Sequence, residues 1–372
     1  MFQRKFLLVV LVLLKWTTGQ AQCNGHLELC AKRYNEVAYL TTHNAFNTHQ
    51  DHFLYPNQSF SITRQLTDGV RALMIDVYEK DGIPIVYHGY SILGSAPLSS
   101  NLNEISDFLK HNPNEVVTII FECYVSATVI EQALQNAGLL SMVYTKASNT
   151  LWPTLQELID TNKRLLIFSD KKDASPAQKW YHYVWNYAVE TSFSAVDTSD
   201  LKSTFNRGNP TNDLFILNHF LVSKTFGTGS RSNAKMANSN PFMEDRINIC
   251  RSETGKFPNF ITVDFYDIGD GMENVNTLNQ VPPLPIPEVD WNERVTLTPN
   301  PLKSIATVQM PKAATPPFYS QLYSFDGKKV GSLPKMWDYQ FQVARNALPN
   351  GIYLLMITDV KQRRYSVKVV AN

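Results

Sequence analysis

The chain has 372 residues, 44% of them hydrophobic and 18% charged, which leaves room for one large domain plus a small one and excludes general disorder. Its 34 basic and 33 acidic residues leave a formal net charge of +1, giving neither the basic footprint of a nucleic-acid binder nor a polybasic membrane patch. An anionic substrate is therefore expected to be held by local groups, not by the field of the whole protein.

Arg4 and Lys5 precede an apolar run, residues 6–14, that is too short to span a bilayer and is closed by Lys15. Gly19 and Ala21 are small residues suited to cleavage, so residues 1–21 read as a signal peptide removed after Ala21. A lipid anchor on Cys23 is the alternative, set against Gln20, Ala21 and Gln22, which make a poor lipobox. No later stretch is apolar enough to span a membrane. Export permits disulfides. Cys23 and Cys30 are expected to pair, whereas Cys123 and Cys250 form either a second bridge or two buried thiols. No close-spaced cysteine pair meets a second pair, which argues against a cysteine-held metal.

From Tyr34 to about Leu278, strand-like runs alternate with helical patterns. Residues 37–40, 70–77, 83–87, 116–122, 164–168, 214–217 and 260–265 are nearly continuous in apolar character, as parallel strands covered on both faces should be. Leu102, Ile105, Phe108 and Leu109 share a helical face that stops at Asn112-Pro113. Ser126 can cap a helix carrying Ile130, Ala133 and Leu134, and Thr154 with Glu157 makes a capping box. Repeated β–α units over residues 22–280 favour a TIM-type (β/α) barrel with its site at the C-terminal strand ends. Residues 281–288 form a proline-rich linker. Beyond it, over 289–372, the pattern shifts to period two with turn signals at Asp326-Gly327 and Asn350-Gly351, the mark of a small Ig-like β-sandwich.

Polar groups stand where barrel strands end: His43-Asn44, Asp76, His88 and Glu122. Cleaving a phosphodiester needs a base for the attacking hydroxyl and an acid for the leaving alkoxide, and histidine titrates near neutrality for either role. Charge on the phosphate oxygens must also be neutralised by a cation. Asn44, Asp76 and Glu122 offer oxygen donors, which suit Ca²⁺ or Mg²⁺ better than zinc. The plainer reading pairs Asp76 or Glu122 with Arg71 or a lysine. Arg71 and His219 are candidates for contact with substrate, His219 equally readable as a satisfied core histidine. His49, His52, His111 and His182 fall in loops or at helix ends and are read as structural.

Several of these segments together resemble the X-domain of phosphatidylinositol-specific phospholipase C in its secreted microbial branch. They are Thr42-His43-Asn44-Ala45, Gln65-Leu66-Thr67-Asp68-Gly69-Val70-Arg71 through Asp76, Tyr87-His88-Gly89, residues 116–124 and residues 259–267. The resemblance implies a phospholipase-C-like phosphodiesterase barrel in which His43 is the base toward an inositol 2-hydroxyl and His88 the acid. It further implies Asn44, Asp76 and Glu122 as Ca²⁺ ligands, and Asp264 as the carboxylate that orients the base, with Asp267 a weaker candidate. One departure stands out: calcium-dependent members carry a further acid where Met74 stands, and a thioether is a poor ligand for a hard cation.

Residues Pro299-Asn300-Pro301, Asp326-Gly327-Lys328, Leu348-Pro349-Asn350-Gly351-Ile352-Tyr353 and 366–372 resemble the C-terminal sorting domain of the type IX secretion system. That implies a Gram-negative envelope and the type IX machinery as partner; an accessory adhesion or carbohydrate-binding module is the alternative. The expectation is a secreted or cell-surface, monomeric phosphoric diester hydrolase or lyase acting on a phospholipid at a membrane surface. Two other readings are a glycerophosphodiester phosphodiesterase and a non-catalytic module that binds head groups or glycans.

Overall fold

Apolar runs of four to nine residues and short capped helices alternate in the first part of the chain, and the computed structural model folds them accordingly. It describes residues 22–223, 228–281, 295–324, 329–345, 348–360 and 363–372, and the chain divides into two compact units, 1–283 and 284–372. The expected signal peptide and nearly all of the proline-rich linker lie outside the described residues.

Unit 1 contains strands β1 Tyr39–Thr42, β2 Ala72–Lys80, β3 Ile83–Val86, β4 Ala96–Pro97, β5 Val117–Cys123, β6 Leu165–Ser169, β7 His182–Tyr183, β8 Ala188–Thr191, β9 Phe205–Gly208, β10 Leu214–Asn218 and β11 Phe260–Val263. They form one sheet in the order β7-β6-β5-β2-β1-β11-β10-β8-β9, with β3 and β4 branching from β2. Pairing is parallel from β7 to β8, and β9 joins antiparallel. The helices are α1 Ile62–Thr67, α2 Leu98–His111, α3 Ala127–Asn136, α4 Leu155–Asp160, α5 Arg231–Ala237, α6 Phe242–Thr254 and α7 Gly271–Asn279. Their starts obey local chemistry: Ser126 accepts from the Val129 N–H, and Thr154 and Glu157 close a capping box.

Side-chain alternation sorts each strand between two cores. Leu40, Leu73, Ile75, Ile119, Ile167 and Val263 pack outward against Leu102, Ile105, Ile130 and Leu134 of the helices. Tyr39, Ala72, Ile120, Phe168, Ala188, Ile216 and Phe260 point the other way and share a second cluster. The rings of Phe168 and Phe260 lie 6.5 Å apart although β5, β2 and β1 separate their strands in the sheet. The sheet must therefore curl around that inner core. This is the expected barrel, left open, because β7 and β9 are not paired with each other among the described residues.

Four strands of this unit were not expected. β4 and β7 are two residues long, β9 is polar and exposed at an edge, and β8 interrupts its apolar run with Glu190. Cys23 and Cys30 form the expected disulfide, while Cys123 and Cys250 are free buried thiols. Among the described residues no helix is long and apolar enough to cross a membrane.

Unit 2 contains β12 Thr296–Thr298, β13 Ile305–Gln309, β14 Phe318–Ser324, β15 Lys329–Met336, β16 Gln340–Ala344, β17 Gly351–Thr358 and β18 Arg364–Ala371. Sheets β12-β13-β16 and β15-β14-β17-β18 enclose one core that includes Val308, Phe341, Phe318, Leu355 and Val369. This is a β-sandwich. β15 was not expected, since Gly331 and Pro334 interrupt its pattern.

Candidate active site

The same alternation that buries Tyr39, Ile120, Phe168, Ala188, Ile216 and Phe260 inside the barrel carries polar groups to its mouth. Counting inward positions two at a time gives His43 beyond β1, Asp76 on β2, Glu122 on β5, Asp170 beyond β6, Glu190 on β8, Asn218 on β10 and Asp264 beyond β11. Register supports the count, with Asp76 opposite Glu122 and Asn218 opposite Thr262.

His43 is fixed from three sides. Its Nδ1 lies 2.9 Å from Asp264 Oδ1, so the ring proton sits on Nδ1 and the Nε2 lone pair faces the pocket, with the Asn44 side-chain amide 3.2 Å away. The Phe220 ring stacks on the imidazole at 3.9 Å and 10°. Gln58 Nε2 donates to the His43 carbonyl at 2.8 Å. Asp264, 3% exposed, is oriented in turn by Asn57 Nδ2 at 3.0 Å. Its Oδ2 faces Gly229, where an added Cβ would collide with the carboxylate.

His88 follows β3, its ring centroid 6.2 Å from that of His43 and nearly perpendicular. Its Nδ1 is buried without a hydrogen-bond partner. Burial, then the neighbouring His43, push its pKa down to about 4, with Asp264 and Glu122 opposing. The free pocket therefore holds this imidazole neutral at neutral pH.

Asn44 links the base to the acidic wall. One end of its side-chain amide lies 3.1 and 3.3 Å from the Asp76 carboxylate oxygens, and the other 3.2 Å from both His43 Nε2 and Asn57 Oδ1. Asp76 is 5% exposed, and burial, then Glu122 and Asp170, hold its carboxyl well above the usual range. Asp170 is raised by burial too, although its Oδ1 accepts from the Cys123 N–H at 2.8 Å. Glu122 accepts from the Tyr124 hydroxyl at 2.6 Å, and Tyr124 belongs to a stack with Tyr78 and Tyr87. Opposite them, Glu190 accepts from Arg207 Nε at 2.5 Å and Asn218 Nδ2 at 3.1 Å. The Arg207 guanidinium lies over Trp185 at 4.4 Å and Phe193 at 4.6 Å.

Asp76, Glu122, Asp170 and Glu190 line one pocket with His43, Met74 and Phe220, and Arg207 is the one cation among its lining residues. A larger cavity of about 520 Å³ between β3, α2 and α3 has no titratable side chain in its lining and is unsuited to acid–base chemistry. Oxygen donors open to a hard cation are Asn44, Asp76 and, on the next strand, Glu122. Among the described residues, no three His, Cys, Asp or Glu side chains converge closely enough to hold an ion alone. A cation here would complete its shell with water or phosphate oxygens, as Mg²⁺ and Ca²⁺ commonly do.

The structure thus brings together His43, Asn44, Asp76, Glu122 and Asp264, with His88 alongside. Two expected substrate contacts need correction. Arg71 precedes β2 at the opposite end of the barrel, donating to Glu115 Oε2 at 2.7 Å and to the Leu66 and Val70 carbonyls. His219 is fully buried, with Nε2 2.8 Å from the Ala237 carbonyl and its pKa pushed down to about 3 by burial. Alternation sends its neighbours Asn218 and Phe220 into the pocket and His219 away from it. Phe220, Asn57, Asp170, Glu190 and Arg207 were missed from the sequence; for Asp170 and Glu190 the inward count was the available signal.

Residues 29–279 match the family model described as PI-PLC X 1, and residues 296–372 match that of the secretion system C-terminal sorting domain. PI-PLC X domain-containing protein 1 of Arthroderma benhamiae is 30% identical over 275 residues, covering 69% of this chain and 89% of the relative. An uncharacterized secreted protein of the same fungus is 26% identical over 274 residues, 68% of this chain, which spans 62% of that relative's length. Among solved structures, the phosphatidylinositol-specific phospholipase C from Listeria monocytogenes aligns with 19% identity and a TM-score of 0.48, over 68% of this chain and 97% of its own.

Proposed function

We propose, from the premise that the chain belongs to the PI-PLC X family and carries a secretion system C-terminal sorting domain, that it is a phospholipase-C-like phosphodiesterase. The protein is secreted or held at the cell surface, and the type IX secretion machinery is its proposed partner in export. The observation that carries the activity is the clamped base: His43 set by Asp264 and Phe220, with a second histidine 6.2 Å away.

In this reading His43 Nε2 takes the proton from a hydroxyl of the substrate's own head group as that oxygen attacks phosphorus. Asp264 stabilises the imidazolium that forms. His88 gives its proton to the departing glycerol oxygen, and each such transfer contributes typically about 10²–10⁴ in rate. His88 needs a proton that the free pocket does not favour, and the bound phosphate anion beside it raises its affinity for one. The pocket sets four carboxyl groups against one guanidinium, itself paired to Glu190, and burial with mutual repulsion already raises Asp76 and Asp170 above the usual carboxylate range. That imbalance supports a divalent cation, Ca²⁺ or Mg²⁺, at Asn44, Asp76 and Glu122. Its chemistry there is neutralisation of charge on the non-bridging oxygens.

The test is ³¹P NMR of phosphatidylinositol cleavage by the full chain. A cyclic phosphodiester product, lost in His43→Ala and abolished by chelator, is the expected result. Cleavage undiminished in His43→Ala and His88→Ala would overturn the two-histidine mechanism. Cleavage of glycerophosphodiesters alone would favour the glycerophosphodiesterase reading, and head-group binding without turnover the non-catalytic one.

A further inference from the structure

We propose that Tyr78, Tyr87 and Tyr124 form a positioning stack that holds the acid, His88, in register with the cation ligands Asp76 and Glu122. The proposal rests on the assignment of those three residues to those roles.

Three strands deliver one ring each. β2 and β5 run parallel with Asp76 opposite Glu122 and Val77 opposite Cys123, so the next residues outward, Tyr78 and Tyr124, are neighbours. The Tyr124 N–H donates to the Val77 carbonyl at 2.9 Å, which carries the pairing past the end of β5. β3 turns back along β2 with Val86 opposite Val77, and Tyr87 follows Val86. Tyr78 is the middle ring of the three. Its centroid lies 3.9 Å from that of Tyr87, at 17°, and 4.3 Å from that of Tyr124, at 6°. Aromatic pairs across neighbouring strands attract beyond the area they bury.

Alternation places this stack on the site. Strand residues two apart share a face, so Tyr78 stands beyond Asp76 and Tyr124 beyond Glu122, while Tyr87 immediately precedes His88. The two histidines differ in how they are held. His43 is gripped by Asp264 and Phe220, whereas His88 Nδ1 is buried without a hydrogen-bond partner. His88 is fixed through its backbone instead. The Tyr90 N–H donates to its carbonyl at 2.8 Å on one side, and Tyr87 is clamped in the stack on the other. An acid that must meet a departing alkoxide tolerates little displacement, since an error of about 1 Å can cost about 10²-fold.

Tyr124 acts through its hydroxyl as well as its ring. Its O–H donates to Glu122 Oε1 at 2.6 Å, which leaves Oε2 as the oxygen open to a cation. Groups that orient a ligand in this way typically carry about 10–100-fold in metal affinity.

The experiment uses the full chain and three variants. Tyr78→Leu keeps apolar bulk without a ring, Tyr78→Phe keeps the ring without the hydroxyl, and Tyr124→Phe removes the bond to Glu122 and keeps the stack. Turnover is compared on two soluble inositol phosphodiesters, one with an alkyl and one with a p-nitrophenyl leaving group, because only the alkoxide needs a proton from His88. Tyr78→Leu is expected to lower the ratio of alkyl to nitrophenyl rate by about tenfold or more, and Tyr78→Phe to restore it. Ca²⁺ affinity, read by calorimetry without substrate, should fall about tenfold or more in Tyr124→Phe, with the ratio of rates unchanged. A wild-type ratio in Tyr78→Leu, whatever happens to its melting temperature, overturns the hold on His88 and leaves the stack a packing feature. Equal Ca²⁺ affinity in Tyr124→Phe and wild type overturns the hold on Glu122. Survival of both rates in His88→Ala would take away the acid, and absence of Ca²⁺ binding by the wild type would take away the ligands. Either of these overturns the proposal through the assignments it rests on, and is told apart from failure of the stack because it shows without any tyrosine variant.

Discussion

At the residue scale, the base is set by contacts that reach well beyond the histidine. Asp264 holds the Nδ1 proton, Asn57 holds Asp264, and Gly229 leaves the carboxylate its space. Gly229→Ala should therefore push Asp264 off the imidazole and lower kcat by about 10²-fold, with the melting temperature little changed. Asp264→Asn should cost at least as much, and the two together no more than the larger alone, because both act through one contact. Steady-state kinetics on the three variants checks this; additive losses would show that Gly229 acts elsewhere. Sequence reading singled out His43, His88, Asn44, Asp76 and Glu122 because each is polar at the end of an apolar run, and Asp264 through the family resemblance. It failed at His219 by one residue. A histidine attracts attention by its chemistry, whereas the strand's alternation decides that Phe220, not His219, faces the pocket.

At the element scale, the strands that were legible are those packed on both faces, where burial demands unbroken apolar sequence. β8 escaped notice because one of its four residues is Glu190, whose burial is compensated by Asn206, Arg207 and Asn218, which lie elsewhere in the chain. No local pattern records partners that far away. β15 escaped because an exposed strand need not alternate cleanly, and its glycine and proline read as turn signals. The inner core at the base of the site depends on Phe168, 1% exposed and within ring contact of Trp152, Tyr187 and Phe260. Phe168→Ala is expected to cost roughly 3–5 kcal/mol. Denaturant unfolding of the full chain should show it as a lower midpoint for the barrel transition.

At the scale of the whole molecule, buried neutral histidines tie stability to pH. His182 has Nδ1 on the Ile167 carbonyl at 2.9 Å and accepts from the Lys146 N–H at 3.1 Å through Nε2. A second ring proton would break that last bond, and burial pushes its pKa down to about 4 from 6.5. His219 is lowered likewise, to about 3. With folded values below unfolded ones, their stabilisation is complete above about pH 6.5 and is lost as pH falls toward 4. His182 alone accounts for up to about 3 kcal/mol of that loss. Asp76, raised in the folded state, works in the opposite direction, so the difference between wild type and His182→Gln is the clean reading. The variant should be less stable at pH 7 and should show a shallower decline between pH 6.5 and 4; parallel curves would contradict the assignment. The division into two units was legible in the change from barrel pattern to period two, because the proline-rich stretch separates two kinds of core.

The most direct test of the central claim separates the two histidines by the leaving group. An alkoxide leaving group needs a proton from His88, whereas a nitrophenolate departs without one. Rates should be measured for His43→Ala and His88→Ala on two soluble inositol phosphodiesters, one with an alkyl and one with a p-nitrophenyl leaving group. The account predicts that His43→Ala loses both substrates by about 10³-fold or more, while His88→Ala loses the alkyl ester and keeps most of its rate on the nitrophenyl ester. Equal losses on both esters in His88→Ala would contradict its role as the acid.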